Sequence, residues 1–328
     1  MISYKPLPTF KTDRLILREV THEDILSYEK YFINYEVIQH LAAHVPWPYP
    51  KNGVREFLDK FIFPDQGKTQ WLWGIFEKEN PAELIGAVHL WREGRPENRG
   101  FWLGKPFWGK GYMTEAVAPV MDYAFNNFGF EKLVFANAVG NLKSRRVKEK
   151  TGAKLIDVKP AKFVNPEYTE HEIWELKRED WKNQSSEYYI LNSEREELQI
   201  DIVHGMLTNA YWCKGIPKET LRKAIDNSLC FGVYKQKVQI GFARAISDSA
   251  TFAWLCDVII DEKYRGNGLS KELMKLIVNH PNLKGLRRIC LATKDAHKLY
   301  EQFNFKVTET PQNWMEIKDN DIYLRSKT

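Results

Sequence analysis

Two glycine-rich segments of this chain have the composition of anion-binding turns. The first is Phe107-Trp108-Gly109-Lys110-Gly111-Tyr112 and the second is Tyr264-Arg265-Gly266-Asn267-Gly268-Leu269. Each places a Gly-x-Gly, with a basic residue beside or between the glycines, directly before an amphipathic helix. Glycine lets a turn direct several backbone N–H groups to one point, and the helix that follows adds its free N–H groups and the positive end of its dipole. Each turn is therefore predicted to bind a phosphate or pyrophosphate.

The two turns occur in similar surroundings. A single Gly-x-Gly before a helix is more often only a turn signal. Here each copy is followed at a similar distance by a strand and a second helix, which indicates a duplicated module. From Gly109 to Asn141 there are 32 positions and from Gly266 to Thr293 there are 27, so the copies differ in their loops. Neither copy has the Gly-x-x-x-x-Gly-Lys-Ser/Thr pattern of a P-loop nucleotide site.

Length and composition favour two globular domains. The chain has 328 residues, of which 43% are apolar and 13% aromatic, enough to fill two cores. Lys and Arg number 48 against 43 Asp and Glu, and neither half is a polycation. Nucleic acid is therefore not an expected partner.

Cysteine usage and the absence of long apolar runs predict a cytoplasmic protein. The four cysteines, Cys213, Cys230, Cys256 and Cys290, show no Cys-x-x-Cys spacing and are interpreted as reduced core thiols. No metal site is predicted. The N-terminus has no apolar segment of signal length, and no stretch reaches the roughly 20 apolar residues of a membrane span, so no membrane partner is expected.

Hydrophobic periodicity predicts the elements that position the first turn. Thr21 to Asp24 resembles a capping box, so a helix should begin near Thr21, and Pro119 should kink or shorten the start of the helix after the glycine turn. The predicted strands are 14–18, 71–76, 84–91, 100–103, 133–138, 153–158 and 172–176. The other predicted helices are 54–62, the helix carrying apolar residues from 117 to 128, and 144–150.

A similar order is predicted for the second half. The polar segment 178–186 marks a boundary, which gives domains 1–184 and 185–328. The predicted helices are 216–227, 270–279 and 296–303. The predicted strands are 231–234, 239–246, 253–260, 288–292 and a last one near Phe305. The expected fold class is α+β.

Both halves resemble the GNAT superfamily of acyl-CoA-dependent N-acetyltransferases. In residues 10–182 the RimJ/RimL-type branch is matched by Thr12 to Arg18, by Trp108 to Ala116, and by Asn141 to Ser144 followed by Glu149 to Ala153. Residues 188–328 are similar to a small bacterial GNAT type through Phe242 to Arg244, Leu255 to Val258, Tyr264 to Lys271 and Leu291 to Tyr300.

The resemblance implies two tandem domains, each a mixed sheet that splays at a bulged strand to receive the pantetheine arm of acetyl-CoA. The residues it assigns to the cofactor in the first half are Leu103, Trp108, Gly109, Lys110, Gly111, Tyr112, Met113, Thr114, Asn141 and Ser144. Those in the second half are Val258, Ile260, Lys263, Arg265, Gly266, Asn267, Gly268, Leu269 and Ser270.

Two positions depart from the family pattern. The Gln or Arg three places before the first glycine is Lys263 in the second copy, but it is Pro106, which has no side-chain donor, in the first. Asn98 stands roughly where relatives of the first half often carry a glutamate, which leaves that half without an assigned general base.

Acetyl transfer from a thioester to an amine needs a neutral amine and a proton for the leaving thiolate. In the second half Tyr300 matches the family's acid, since a phenol with a pKa of about 10 stays protonated at neutral pH. The competing interpretation is a core aromatic residue. Asp257, beside the expected bulge, is the candidate base, directly or through water. Its alternative role is hydrogen bonding to loop N–H groups.

The first half has fewer catalytic candidates. Lys148 matches the position of Tyr300 and is expected to face cofactor phosphate or solvent. Asn141 and Ser144 match the family's Asn-x-x-Ser, which helps to hold the cofactor and relays a proton, so Ser144 is this half's catalytic candidate. Alternatively, Asn141 only caps a helix at the N–H of Ser144. His89 lies on the predicted strand 84–91, and a single histidine on a strand is more often packed or solvated than a general base.

Three aromatic residues of the first half, Trp47, Tyr49 and Trp91, either wall an acceptor pocket or belong to the core. The leading hypothesis for the chain is an acetyl-CoA-dependent N-acetyltransferase acting on a peptide N-terminus or a small amine, with the second half the better-equipped catalyst. The alternative is that one half, in particular the first, binds acyl-CoA or a partner without turning it over.

Overall fold

The computed structural model describes residues 6–92, 94, 96–181, 188–319 and 321–325. The chain divides into two compact units, Met1–Tyr188 and Tyr189–Thr328. Each contains strands and helices, so the predicted α+β class is confirmed. None of the described helices combines the length and the apolar character needed to cross a bilayer.

The first unit contains two antiparallel sheets. Strands β1 to β5 follow one another in order across the larger sheet, and β6-β8-β7 is the order of the smaller one. The strands are β1 (Thr9–Lys11), β2 (Leu15–Glu19), β3 (Gln70–Glu77), β4 (Asn80–Trp91), β5 (Arg99–Leu103), β6 (Lys132–Ala138), β7 (Lys154–Pro160) and β8 (Glu170–Lys177). The helices are α1 (Ile25–Phe32), α2 (Tyr35–Ile38), α3 (Gly53–Phe57), α4 (Tyr112–Asn126) and α5 (Leu142–Lys150).

The strands β5 and β6 meet only at one end. The backbone N–H of Asn98 donates to the carbonyl of Val134 at 2.8 Å, and the N–H of Val134 donates to the Asn98 side-chain oxygen at 2.9 Å. Beyond this point the two strands belong to different sheets, with β5 at the edge of one and β6 at the edge of the other. The opening between them is the splay that the sequence predicts for this half.

Local chemistry explains where the helices of the first unit begin. The N–H of Thr21 donates to the Asp24 carboxylate at 2.8 Å, as the capping box predicts, and a short 3-10 turn leads into α1. The α4 helix runs unbroken across Pro119, so the expected disruption of its start is wrong. Pro119 lies seven residues after Tyr112, where the ring removes one helical donor without ending the helix.

The second unit is one sheet, β13-β12-β11-β10-β9, in which only the β12–β13 pair is parallel. Its strands are β9 (Tyr189–Asn192), β10 (Leu229–Lys235), β11 (Val238–Ser247), β12 (Phe252–Ile260) and β13 (Arg288–Cys290). Its helices are α6 (Ile200–Leu207), α7 (Lys218–Asp226), α8 (Leu269–Val278) and α9 (His297–Glu301). The paired residues of β12 and β13 are 252–254 and 288–290. The later half of β12 is therefore unpaired on the side where β13 pairs with its first half.

The last strand expected near Phe305 is wrong. Residues 305–308 have no regular secondary structure, and the Phe305 ring packs on Tyr300 with 5.9 Å between centroids. The apolar pattern there reflects side-chain packing and not sheet pairing. Four short elements were not predicted, namely β1, α2, β9 and α6. Of these, α6 carries the helical apolar spacing Ile200, Val203 and Leu207, with the last two fully buried.

Candidate functional site

Both glycine turns adopt the backbone that their sequence predicts. Gly109 and Gly111 have φ angles of 76° and 79°, and Gly266 and Gly268 have 83° and 69°. These angles lie in the left-handed region, which glycine adopts without strain. Gly111 and Gly268 are the N-cap residues of α4 and α8, and neither helix has a side-chain cap. The first N–H groups of both helices therefore have no intrahelical or capping partner and are available to an anion.

The first turn is held by an ion pair that starts at the beginning of β2. Arg14 pairs with Glu115 of α4 at 2.6 Å, and its Nη1 donates to the carbonyl of Lys110 at 2.9 Å. Thr12 adds a hydroxyl bond to the same carboxylate at 2.6 Å. These contacts explain why the Thr12–Arg18 block and the glycine turn occur together, since one positions the other.

A cavity of about 650 Å³ begins at this turn and runs along the opening beside β5; we call it the first-unit cavity. Its lining includes the predicted residues Leu103, Trp108, Gly109, Gly111, Tyr112, Met113, Thr114, Asn141 and Ser144. Lys110 is not in the lining. The Trp108 indole donates to the carbonyl of Leu103 at 2.7 Å, so this backbone acceptor of the predicted cofactor strand already has a partner.

Three of the cavity-lining residues at helix α5, its N-cap Asn141 and the helical residues Ser144 and Lys148, follow one another at intervals of three and four. The N–H of Ser144 donates to the Asn141 side chain at 3.2 Å, so Asn141 is a helix cap as well as a lining residue. One turn later Lys148 Nζ donates to Ser144 Oγ at 2.8 Å. Lys148 is only 1% exposed, so the expectation that it faces solvent is wrong. The helical period places it on the same inward face as Ser144.

The inner end of the first-unit cavity carries a second buried cation that the sequence analysis missed. Arg99, the first residue of β5, lines the cavity and is 4% exposed. It follows Asn98, which closes the strand opening. Burial lowers the pKa of Arg99 to about 9 and holds the pKa of Lys148 well below its usual range, with Arg99 itself contributing to the second shift. Arg99 stands at the polar start of an otherwise apolar strand, Gly100 to Leu103, which gave no signal for a buried guanidinium.

Other candidates of the first unit have structural partners. His89 Nε2 is 3.0 Å from Gln70 Oε1, and its ring packs on Trp91, which is buried. Tyr49 packs edge-on against Phe32 in the main apolar core. Trp47 is 42% exposed. None of these side chains lines the first-unit cavity.

The second unit has a smaller cavity of about 270 Å³ at its glycine turn, the second-unit cavity. The predicted residues in its lining are Val258, Ile260, Arg265, Gly266, Gly268, Leu269, Ser270 and Tyr300. Lys263, Asn267 and Asp257 are not in the lining. Tyr264, Ala296 and Leu299 line it without having been predicted. Here the turn is held locally, since Arg265 Nε donates to the carbonyl of Ile260 at 3.1 Å and Asn267 to that of Tyr264 at 3.0 Å.

A bulge interrupts β12 at the expected place. Phe242 of β11 is opposite Ile259, but Arg244 is opposite Cys256, so β12 has one extra residue in this interval. Asp257 takes a φ of 54° there. A bulge leaves backbone groups of the strand unpaired, which suits a strand that offers them to a ligand. In the first unit the β4–β5 pairing is regular, so the bulged strand that the resemblance implies for this half is wrong, and the edge position of β5 exposes its backbone instead.

Tyr300 and Asp257 have different surroundings. Tyr300 is 9% exposed, and burial, followed by Tyr211 and Asp295, raises the pKa of its phenol to about 12. The Asp257 carboxylate accepts from Arg244 Nε at 2.5 Å and from Trp212 Nε1 at 3.0 Å. Both of its oxygens are therefore engaged by side chains, and its role as base needs one of these bonds to give way to the amine.

Comparisons with known proteins agree with the two-unit organisation. The family model described as acetyltransferase (GNAT) domain matches residues 14–154, and that described as acetyltransferase (GNAT) family matches residues 188–305. The uncharacterized N-acetyltransferase YoaA of Bacillus subtilis is 27% identical over 148 residues, 44% of this chain and 82% of its own length. The uncharacterized N-acetyltransferase ycf52-like of Prochlorococcus marinus is 32% identical over 112 residues, 33% of this chain and 62% of its own length.

Among solved structures, a Xanthomonas campestris protein described as a "putative acetyltransferase belonging to the gnat family" is 43% identical. The match covers 41% of this chain and 96% of that protein, with a TM-score of 0.40.

Proposed function

We propose, for a chain that belongs to the acetyltransferase (GNAT) family in both of its halves, that it moves an acetyl group from acetyl-CoA directly to a primary amine. The acceptor class is a peptide N-terminus or a small amine. The observation that carries the proposal is the same in both units: a cavity connects an uncapped glycine turn to the free edge of an opened strand. This arrangement suits a long ligand with phosphates at one end and a reactive group at the other.

The residues at the turns fit the phosphates of the donor. In the first unit the N–H groups after Gly111 and the exposed cations Lys143, Arg146 and Lys150 line one cavity. In the second unit Arg265 and Ser270 line the corresponding end. When bound, acetyl-CoA supplies the thioester whose carbonyl the amine attacks.

In the second unit Tyr300 is proposed to be the general acid. It lies in the same cavity as the glycine turn, and its raised pKa keeps a proton on Oη at every physiological pH. A departing thiolate needs such a proton. Asp257 is proposed to receive the proton of the amine, directly or through water, after exchanging one of its two present partners.

A second candidate function concerns the first unit alone: binding of acyl-CoA without turnover. Two observations favour it. The position that matches Tyr300 is Lys148, which bonds to Ser144 and offers no phenol. Asn98, at the place of the family's glutamate, bonds to the Val134 backbone and to the carbonyl of Trp91, so it serves the fold. If this unit is catalytic, Ser144 is the group placed to relay a proton.

Titration calorimetry with a non-hydrolysable acetyl-CoA analogue tests the donor sites. We expect two sites per chain, because both turns have the anion-binding backbone. Gly111→Val and Gly268→Val should each reduce the number to one. If the parent chain binds one molecule and Gly111→Val still binds one, the first unit has no donor site. No binding at all would refute the proposed function. A panel of amines, followed by release of free thiol, then identifies the acceptor.

A further inference from the structure

We propose that the inner end of the first-unit cavity is a carboxylate-binding site formed by Arg99 and Lys148, and that a substrate of this unit carries the carboxylate. The carboxylate belongs either to the acyl group of the donor or to the acceptor. The assignment of the cavity to an acyl-CoA rests on the proposed function, whereas the anion site itself rests on the side chains described next.

The Arg99 guanidinium is enclosed without an acceptor for one of its edges. Its faces lie near the rings of Phe135, at 3.9 Å, and Phe101, at 5.2 Å. Its Nη1 contacts the sulfur of Met121 at 2.8 Å, a weak acceptor. Among the described residues, no group accepts a hydrogen bond from Nε or Nη2. Aromatic rings stabilise the face of a guanidinium, but its N–H donors lie in its plane, so these contacts do not replace an acceptor.

The two free nitrogens define the shape of the missing partner. Nε and Nη2 lie on the same edge of the guanidinium and donate in parallel. This edge matches the two oxygens of a carboxylate in a bidentate pair. Because Arg99 lines the cavity and is 4% exposed, a ligand that enters the cavity is the available source of such a group.

Lys148 adds a second buried positive charge, which the carboxylate of Glu172 compensates only in part. Its ammonium has three donors, and the hydrogen bond to Ser144 uses one of them. The nearby buried carboxylate of Glu172 is already bonded to Arg145 at 3.0 Å, to Asn137 at 2.9 Å and to the Trp174 indole at 3.1 Å. Arg99 and Lys148 are therefore two buried cations at the inner end of one cavity. The carboxylate near them, Glu172, is shared with a third cation, Arg145. Charges that are buried without partners are costly and are characteristic of binding sites.

Phosphate binding does not account for this pair. The turn end of the cavity has its own donors, the turn N–H groups and Lys143, whose ammonium lies 3.8 Å from the Trp108 ring, and the exposed Arg146 and Lys150 also line the cavity. Arg99 and Lys148 are instead buried, and Arg99 directly follows Asn98 at the closed end of the strand opening. In a ligand that has its phosphates at the turn, the part that reaches this end is the acyl group or the attached acceptor.

Matched acyl-CoA probes test the acyl source. The acyl groups of malonyl-CoA and acetoacetyl-CoA have the same number of non-hydrogen atoms. The malonyl group ends in a carboxylate and the acetoacetyl group in a methyl ketone. With the full chain we expect malonyl-CoA to bind the first-unit site about 10- to 100-fold more tightly, the range for hydrogen bonds between charged groups. Arg99→Met should weaken malonyl-CoA far more than acetoacetyl-CoA and so reduce this ratio to about one. The control Lys150→Met, an exposed cation of the same cavity, should weaken both probes equally and keep their ratio.

An amino acid and its amide test the acceptor source. Each is titrated calorimetrically into the chain saturated with CoA. The carboxylate belongs to the acceptor if the parent chain binds glycine more tightly than glycinamide, if Arg99→Met abolishes this preference, and if malonyl-CoA is not preferred over acetoacetyl-CoA. If Arg99→Met changes neither ratio, the inference is overturned. If no acyl-CoA binds while the carboxylate preference persists, the proposed donor fails and the anion site stands.

The melting temperature of the ligand-free protein excludes a purely structural role. Replacing an unpaired buried charge by an apolar side chain of similar length removes a desolvation cost, so Arg99→Met should raise the melting temperature by a few degrees. A lower melting temperature would show that Arg99 holds the fold through its aromatic contacts and would overturn the inference. Lys148→Met should reduce the same malonyl-CoA preference, and an unchanged preference in that variant would restrict the site to Arg99 and overturn the paired assignment.

Discussion

The two glycine turns have nearly the same backbone, but the cavities behind them end in different chemistry. The four glycines share positive φ angles between 69° and 83°. At the inner end, the first unit has the cations Arg99 and Lys148, whereas the second has the phenol of Tyr300. The phosphate end is determined by backbone geometry, which tolerates little variation, and the inner end by side chains, which can change. The two units therefore agree at the turn and differ at the inner end, where the proposed function places the transferred group.

The turns also differ in how they are held. In the first unit Arg14 reaches from the start of β2 to Glu115 and Lys110, so the turn depends on residues about a hundred positions away. In the second unit Arg265 and Asn267 bond to neighbouring carbonyls, so the turn is held by its own segment. The first turn is therefore held by a distant segment of the chain, and the second by itself and by the end of the strand that precedes it.

The largest expected effect is that of Tyr300→Phe, which would show whether the second cavity is the catalytic one. Removing one general acid lowers the rate by about 10² to 10⁴-fold. We expect this loss in kcat, with nearly unchanged acetyl-CoA affinity and melting temperature, because the ring and its packing remain. The measurement is thiol release from acetyl-CoA with an accepted amine.

Tyr264→Phe is the matched control, since Tyr264 lines the same cavity. Its kcat should stay near that of the parent. A full rate in Tyr300→Phe would mean that another group protonates the thiolate or that the first unit performs the reaction. The phenol titrates at a pKa of about 12, above its usual value, so the loss of rate from deprotonation of Tyr300 should appear only as the pH approaches that value.

A smaller effect is expected for Gly268→Val, which tests how far the two turns are equivalent. A β-branched residue at a φ of 69° is strained by about 1–2 kcal/mol, and relief of the strain displaces the N–H groups of the turn. The apparent KM for acetyl-CoA at the second site should rise about tenfold. Gly285→Val introduces a similar strain, at a φ of 76°, outside the cavity lining. It should reduce stability without changing this KM; equal KM values in the two variants would contradict a binding role for the turn.

The smallest effect is expected for Arg14→Met, which tests the distant clamp. Because Arg14 is 44% exposed, solvent screens its ion pair, and loss of an exposed pair costs about 0.2–1 kcal/mol. Acyl-CoA affinity at the first site should fall about two- to fivefold, measured calorimetrically in a Gly268→Val background. Lys60→Met removes another exposed pair of the same unit, with Glu56, and should leave the affinity unchanged. Equal effects in the two variants would show that the clamp does not position the turn.

Local sequence patterns were sufficient for the turns and for most strands. Glycines before an amphipathic helix and apolar runs such as 71–76 are short-range signals, and the observed β3 and α8 agree with them. Packing decided the exceptions. The segment at Phe305 has an apolar pattern but packs on Tyr300 without pairing in a sheet. The roles assigned to Tyr300, Asp257 and Ser144 remain predictions, and the predicted boundary between 184 and 185 lies outside the described residues.

Burial of charge could not be predicted from the sequence. Lys148 is followed by the charged residues Glu149 and Lys150, both exposed, yet the four-residue spacing from Ser144 places it inside. Arg99 begins a strand that passes from the closed end of the opening to the glycine turn, and only the tertiary arrangement shows that aromatic rings cover it. Both positions depend on contacts between distant segments, which composition and periodicity do not encode.

The Asn98 side chain has a consequence for the kinetics of ligand entry. It takes the place of a backbone carbonyl for the N–H of Val134, while the backbone N–H of Asn98 still pairs with the Val134 carbonyl, so direct pairing between the two segments ends at this residue. Continued backbone pairing beyond this point is thereby disfavoured even in the empty protein. A ligand then meets a preformed slot and breaks no strand pairing when it enters. Association should accordingly follow a single concentration-dependent phase, as for rigid partners, without a slow step that precedes binding.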